Sequence, residues 1–262
     1  MTLVTGASGF VGNKIMQLCD DVISSPSLKG ATEADIKRIV EENDIDTIIH
    51  TAAISDTRAC ESNPEASYIA NVTLPVYLAK ASCGIKLICF SSDQVYNGAK
   101  EEGPYSEDMA CPKSVYAKHK LEMENRVLDI SPEAVLLRAE WMYDYYLKKP
   151  NFFMNMINAS DTVKVSSKQF RGLTYVKEVA ENIDAIKRLS GGVYNFGSES
   201  EKSMYEITKD FLKLIGKKVS VEDIPPYHNL WMNCKKARKS GVVFSKVEEG
   251  LKKCAYDYHL IQ

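Results

Sequence analysis

Residues 5–12 read Thr-Gly-Ala-Ser-Gly-Phe-Val-Gly, three glycines at intervals of three directly after the β-prone run Thr2-Leu3-Val4-Thr5. No other stretch restricts the fold as strongly. Glycine at these steps lets the backbone turn sharply out of a strand and lets an anion approach the positive end of the helix that follows. That helix is expected over residues 10–19, where Val11, Ile15 and Leu18 share a face. Three spaced glycines also serve purely structural turns. Their place at the head of a chain that goes on alternating strand and helix makes dinucleotide binding the expectation, with Gly6, Ser8, Gly9, Phe10, Val11 and Gly12 as candidate contacts.

The alternation is legible well beyond this unit. Residues 21–24 form a short β-prone run, and Thr32-x-x-Asp35 is a capping box opening a helix with Ile36, Ile39 and Val40 on one side. Asp46-Thr-Ile-Ile-His50 reads as a buried strand and residues 65–82 as a helix that Pro75 kinks or resets. Lys86-Leu-Ile-Cys-Phe90 and Ala134-Val-Leu-Leu-Arg138 are further strands, separated by the helical SVYAKHKLEMENRVL. The expected fold is therefore α/β, a Rossmann-type doubly wound parallel sheet. From about residue 147 the alternation becomes irregular. A dinucleotide-binding domain over 1–147, rejoined by about 172–198, is expected to carry a smaller C-terminal substrate-binding lobe formed by 148–171 and 199–262. Within these, residues 175–189 are amphipathic, Gly192-Val-Tyr-Asn-Phe196 is a strand that rejoins the sheet, and Ser203-x-x-Glu206 caps a helix ended by Gly216.

Composition narrows the ligand class. A formal net charge of −2 with interspersed acids and bases offers no electrostatic case for nucleic acid or an anionic membrane as a partner, and favours a small molecule. Seven scattered cysteines, never spaced Cys-x-x-Cys, indicate neither a disulfide framework nor a zinc site, and a reducing cytoplasmic setting is expected. His119, His228 and His259 show no metal-like spacing, so no metal site is expected. The apolar start is too short for a signal peptide, and no apolar run reaches the length of a membrane span.

Tyr-x-x-x-Lys occurs at Tyr96/Lys100, Tyr116/Lys120, Tyr145/Lys149 and Tyr205/Lys209. Only the 116/120 pair falls in a helix flanking the sheet and follows a strand ending in hydroxyls, Phe90-Ser91-Ser92-Asp93. A phenol of pKa about 10 needs a nearby cation before its phenolate becomes accessible near neutral pH, and a lysine one helical turn away supplies it. A serine hydroxyl at the carboxyl end of the strand can hold a substrate carbonyl within reach of the phenolic proton and a hydride donor. Ser92, Tyr116 and Lys120 are the candidate catalytic set. His50-Thr51-Ala52-Ala53 places small residues, Ala52 and Ala53, where a cofactor can lie along the strand ends; tight packing explains them equally well.

Taken together, TGASGFVG, DTIIHTAA, ESNPEASYIANV, FSSDQVYNG, PYSED, PKSVYAKHK, LLRAEWMY, NFFMNMI, QFRGLTYV and GGVYNFG resemble the extended short-chain dehydrogenase/reductases, and most closely the dTDP-4-dehydrorhamnose reductase family, over nearly the whole chain. The resemblance implies reduction of the 4-keto group of a nucleotide-linked deoxysugar by hydride transfer. Tyr116 would protonate the emerging alkoxide, Lys120 would lower the tyrosine pKa and bind the nicotinamide ribose, and Ser92 would polarise the carbonyl. Asp93, Glu140, Trp141, Asn151, Phe152 and Arg171 fall where substrate contacts are expected, with Asn71 and Lys118 as weaker candidates and Trp141 and Trp231 as packing residues of the cleft. The cofactor is NADP or NAD. Ser24-Ser25, after the second strand, offers neither the acid that favours NAD nor the arginine that favours NADP, and the missing acid tilts the choice to NADP, with Lys29 as a 2′-phosphate partner. A homodimer is expected by the same resemblance.

The departures lie on the substrate side. Arg138-Ala139-Glu140-Trp141 puts a carboxylate where the family has Thr-Ser/Ala, Lys168-Gln169-Phe170-Arg171 stands for Asp-Gln-x-Gly, and Pro225-Pro226 stands for Arg-Pro. Arg171 is able to replace a lost phosphate contact through a bidentate fork, or to sit in solvent. These changes keep two other readings open: a nucleotide-sugar epimerase or dehydratase on the same fold, and a non-catalytic dinucleotide-binding regulatory subunit resembling that of methionine adenosyltransferase.

Overall fold

The computed structural model describes residues 1–226 and 228–262. Strands β1 (Thr2–Thr5), β2 (Val22–Ser24), β3 (Thr47–His50), β4 (Lys86–Ser92) and β5 (Val135–Ala139) build a parallel sheet. β6 (Trp141–Tyr143), β7 (Val163–Val165) and β8 (Leu173–Tyr175) lie outside it, and β9 (Gly192–Phe196) returns to its edge. β10 (Val221–Asp223) completes the set. The main sheet has the order β2-β1-β3-β4-β5-β9, every pair parallel, as the alternating pattern predicts. β1, β3, β4 and β5 are buried along almost their entire length, which is why they read as apolar runs without alternation.

The chain leaves β1 toward β2 and then returns to pair β3 on the other edge of β1. Strand order thus reverses between β1 and β3, and the carboxyl ends at Thr5 and His50 flank the crevice where open α/β sheets bind ligands. Two apolar layers seal the sheet. Val4, Ile49, Ile88, Val135 and Leu137 pack on one side with Ile15, Val179, Ile183 and Ile186; Leu3, Ile48, Leu87 and Leu136 pack on the other with Ile36, Val72, Leu78, Met123 and Val127. A third cluster, Tyr143, Phe153, Tyr175, Phe211 and Leu251, lies among β6, β8 and the helices Met204–Leu214 and Val247–Asp257. No helix among the described residues is long and apolar enough to cross a membrane.

Local signals account for the helix starts. Thr32 and Asp35 exchange the two bonds of a capping box, as do Ser203 and Glu206, and Ser114 caps the helix Val115–Ile130 through the Ala117 amide. The expected helix over 65–82 is three pieces: Pro64–Tyr68, a π-helical turn Ile69–Thr73, and Leu74–Ala81. Pro75 has no N–H to give to the turn before it, and the widened turn absorbs that loss without ending the helix. The widening also buries Asn71, which donates to the Ile54 carbonyl and accepts from the Ile54 amide. Residues 175–189 likewise form two short helices, Val176–Glu181 and Ile183–Lys187, with Asn182 between them bonding the Val243 carbonyl.

Candidate functional site

Steric necessity defines the glycine loop. Gly6 has φ of 72°, a left-handed conformation that side chains disfavour, and a Cβ there would stand 2.7 Å from the Ala52 nitrogen. A Cβ on Gly12 would stand 2.4 Å from the Gly6 carbonyl oxygen. Gly9 donates to that same carbonyl at 2.8 Å and opens the helix Phe10–Leu18 with no side-chain cap for its first-turn amides. This is a cradle that any larger residue would fill, placed at the β1/β3 switch point, and it suits a pyrophosphate. Ser8 is exposed on the loop, Phe10 is half-buried and Val11 packs toward the sheet core. Ala52 and Ala53 follow β3, and Thr51 ties the two strand ends by donating to the Thr5 carbonyl at 2.6 Å. Ser24, at the end of β2, is exposed and donates to the Ser25 carbonyl, and Lys29 is exposed nearby in sequence.

The second cluster lies at the carboxyl end of β4. Tyr116, Lys120 and Glu124 recur every four residues along one face of the helix Val115–Ile130, and all three are buried. Lys120 donates to the Phe90 carbonyl at 2.7 Å and stands 5.9 Å from the centre of the Tyr116 ring. Burial pulls its ammonium down to about 8, against the opposing pull of Cys89, Glu124 and Cys60. Burial pushes the Tyr116 phenol above its ordinary value, and its hydrogen bond with Ser92 works the other way. At neutral pH Tyr116 is therefore a protonated phenol beside a cation and a serine. Beneath the pair, the His50 imidazole is held down to about 3 by burial and by the charge of Lys120, so it stays neutral while its Nδ1 shares a 2.7 Å hydrogen bond with Thr5.

Glu124 anchors this face. It pairs with Arg138 of β5 at 2.7 Å and accepts from the Ser91 hydroxyl; both charged side chains are almost completely buried. Arg138 continues to Tyr96, whose hydroxyl donates to Asn195 of β9. The sequence signal for Glu124 was the same four-residue period that picks out Tyr116 and Lys120. Cys60, which feels both groups, had no such signal. Lys118 is exposed on another face of the helix.

The expected substrate residues form a chain of contacts. Asp93 accepts from Ser92 at 3.2 Å and pairs with Arg171 at 2.7 Å, and the Arg171 guanidinium stacks 5.0 Å from the Trp141 ring. Arg171 is thus neither solvated nor free: it is held by a carboxylate next to Ser92. Trp141 also meets Phe152 edge-on at 6.1 Å. A cleft of about 600 Å³ opens beside this group, lined by Gln94, Lys113, Gln169, Arg171 and His228 among others. Trp231 stacks on Phe170, 5.1 Å between ring centres.

Two residues take places the sequence did not foretell. Glu140 is buried between Gly172 and Gly197, where a Cβ on either would collide with its carboxyl, and it accepts from the Thr174 hydroxyl. Burial raises its pKa to about 8 despite that bond, so a neutral carboxylic acid is well populated at pH 7. The negative charge that the sequence suggests at Glu140 is thereby largely removed. Asn151 caps the helix Phe152–Ile157 through the Met154 amide while its own amide donates to the Asp144 and Lys149 carbonyls. It clasps a loop, with its hydrogen-bonding groups turned to the protein. Pro225 lies after β10, outside the lining of the cleft.

The RmlD substrate binding domain family matches residues 1–259. A probable low-salt glycan biosynthesis reductase of Haloferax volcanii is 27% identical, with 94% of this chain and 90% of the relative covered. A dTDP-4-dehydrorhamnose reductase of Mycobacterium tuberculosis is 31% identical over 70% of this chain and 64% of its own. Among solved structures, the dTDP-4-dehydrorhamnose reductase of Clostridium acetobutylicum superposes with a TM-score of 0.83 at 25% identity, covering 98% of this chain and 99% of that one. The Bacillus anthracis enzyme, in complex with NADP, shares the fold with a TM-score of 0.84 at 22% identity over 98% of both chains.

Proposed function

Because this chain belongs to the RmlD substrate binding domain family of extended short-chain dehydrogenase/reductases, we propose that it is an NAD(P)-dependent oxidoreductase that reduces the 4-keto group of a dTDP-linked 6-deoxyhexose. The observation that carries this reading is the gathering of Ser92, Tyr116 and Lys120 at the carboxyl end of β4, beside the β1/β3 crevice. The names of the relatives supply the substrate class.

A reduced nicotinamide, when bound, supplies the hydride. The chain's own groups handle the rest. Gly6, Gly9 and Gly12 would admit the pyrophosphate, with Ala52 and Ala53 flanking the strand ends and the helix N-terminus supplying partial positive charge. Ser92 would donate to the carbonyl oxygen and orient it. As that oxygen becomes an alkoxide, Tyr116 would transfer its phenolic proton to it. The ammonium of Lys120 would stabilise the phenolate left behind, and both partners are buried, so the interaction is little weakened by solvent. Ser92 would turn its single proton from Asp93 to the carbonyl oxygen when substrate binds, while Asp93 stays locked to Arg171. Arg171 and Lys113, which line the cleft, would face the nucleotide diphosphate.

NADPH oxidation on mixing with dTDP-4-dehydrorhamnose tests this directly. Turnover by the parent that disappears in Tyr116→Phe, with cofactor binding retained, supports the proposal. A parent that binds NADPH and oxidises none with any dTDP-4-keto sugar defeats it.

A further inference from the structure

The segment 144–151 bridges the expected substrate residues and the glycine loop, and its base is firmly built. Asp144 is buried, pairs at 2.8 Å with the buried Lys14 of the glycine-loop helix, and accepts from the Tyr258 hydroxyl at 2.8 Å. Asn151 closes the other end, donating to the Asp144 carbonyl at 2.8 Å and the Lys149 carbonyl at 3.0 Å. Between these posts Lys148 adopts φ of 53°, a left-handed conformation uncommon outside glycine. The turn that follows brings Lys149 onto the glycine loop. Its ammonium donates to the Ser8 carbonyl at 3.0 Å and stands 6.0 Å from the centre of the Phe10 ring.

The charge balance gives this contact its meaning. Residues 5–13 contain no cation, and Lys14 is committed to Asp144. The loop therefore offers a dinucleotide pyrophosphate, which carries two negative charges, no charged side chain, only backbone amides, the Ser8 hydroxyl and a helix terminus worth about half an elementary charge. Lys149 is exposed and has no carboxylate partner among the described residues. From this we infer that residues 144–151 are a strap across the cofactor loop and that Lys149 is its phosphate contact, exchanging the Ser8 carbonyl for a pyrophosphate oxygen. The inference rests on the proposal that the chain binds a nicotinamide dinucleotide. It also assigns a role to the lysine of a second Tyr-x-x-x-Lys pair, Tyr145/Lys149, which lacks the sequence context of Tyr116/Lys120.

Equilibrium binding of NADPH and NADH to the full chain, read by calorimetry without a sugar substrate, separates the possibilities. Lys149→Met is expected to weaken both dinucleotides alike, about tenfold for one lost charge-assisted hydrogen bond. Its melting temperature should match the parent, because Lys149 is exposed. Lys149→Arg should restore most of the affinity, and Lys148→Met should bind as the parent does. Unchanged binding by Lys149→Met overturns the inference. So does a loss confined to NADPH, which would put Lys149 at the 2′-phosphate, or an equal loss in Lys148→Met, which would reduce the effect to a diffuse field. If the parent binds neither dinucleotide, the proposed function itself fails and the strap with it.

Discussion

The glycine loop and the cluster around Arg171 are built from different materials. On the glycine loop the decisive contacts are backbone to backbone, where a single added Cβ would press on a carbonyl or an amide. In the Arg171 cluster they are side chain to side chain: Asp93 with Arg171, Arg171 with Trp141, Glu140 with Thr174. A backbone cradle leaves a local imprint, because only glycine satisfies it. A side-chain lattice leaves none, since Asp93 and Arg171 are 78 residues apart and each is unremarkable alone. Under the proposed function, the first would hold a constant group and the second would discriminate.

Substitutions at the junction and on each side should show this contrast in descending order of effect. Tyr116→Phe, at the junction, removes the transferred proton and should lower kcat about a thousandfold with little change in cofactor affinity, as measured by stopped-flow and binding titration. Gly12→Ala should weaken NADPH binding by about 5- to 150-fold, because overpacking against a carbonyl costs about 1–3 kcal/mol; wild-type affinity in this variant would mean that the cradle tolerates a side chain. Arg171→Leu leaves Asp93 buried without its cation. A roughly tenfold rise in KM for the nucleotide-sugar is expected, with dinucleotide affinity unchanged. A loss of dinucleotide affinity instead would erase the distinction between the loop and the cluster.

Two pH effects follow from burial. Lys120 titrates near 8, so it is protonated below that pH and loses its charge above it. The rate of reduction should fall as pH rises through about 8, and a flat profile to pH 10 would show that Lys120 keeps its proton in the working complex. The smallest effect concerns stability. Glu140 holds its proton in the folded state up to about 8, whereas an unfolded glutamate releases it near 4.5. The folded state binds more protons between those values, so the contribution of Glu140 is complete below about 4.5 and is lost as pH rises through about 8. Glu140→Gln should flatten that decline, by about 5 °C in Tm at pH 8.5 relative to the parent.

What could be read from the sequence follows the same division. The strands through β5 and most of the helices between them were visible because buried parallel strands are plain apolar runs and because Thr32 and the three glycines, like Ser203 later, are local signals; the short helix Thr57–Ser62 was not. The return of Gly192–Phe196 to the sheet edge was visible as a strand. β6, β7, β8 and β10 were not: each is three residues long and gains its partner from a distant segment, as Trp141–Tyr143 does from Leu173–Tyr175. At the site, Tyr116 and Lys120 stood out by spacing and context, while their anchor Glu124 shared the period and went unmarked. Glu140 misled for a physical reason. Its charge was taken at face value, yet burial between two glycines favours the neutral acid.

Reduction of dTDP-4-dehydrorhamnose with NADPH carrying deuterium in the transferable position, followed by mass spectrometry of the sugar, bears most directly on the claim that this chain is a keto-sugar reductase. One deuterium on the ring carbon that bore the carbonyl is the predicted result, absent when Tyr116→Phe replaces the parent. A product without deuterium, or NADPH bound tightly and left unoxidised by the parent, would contradict it.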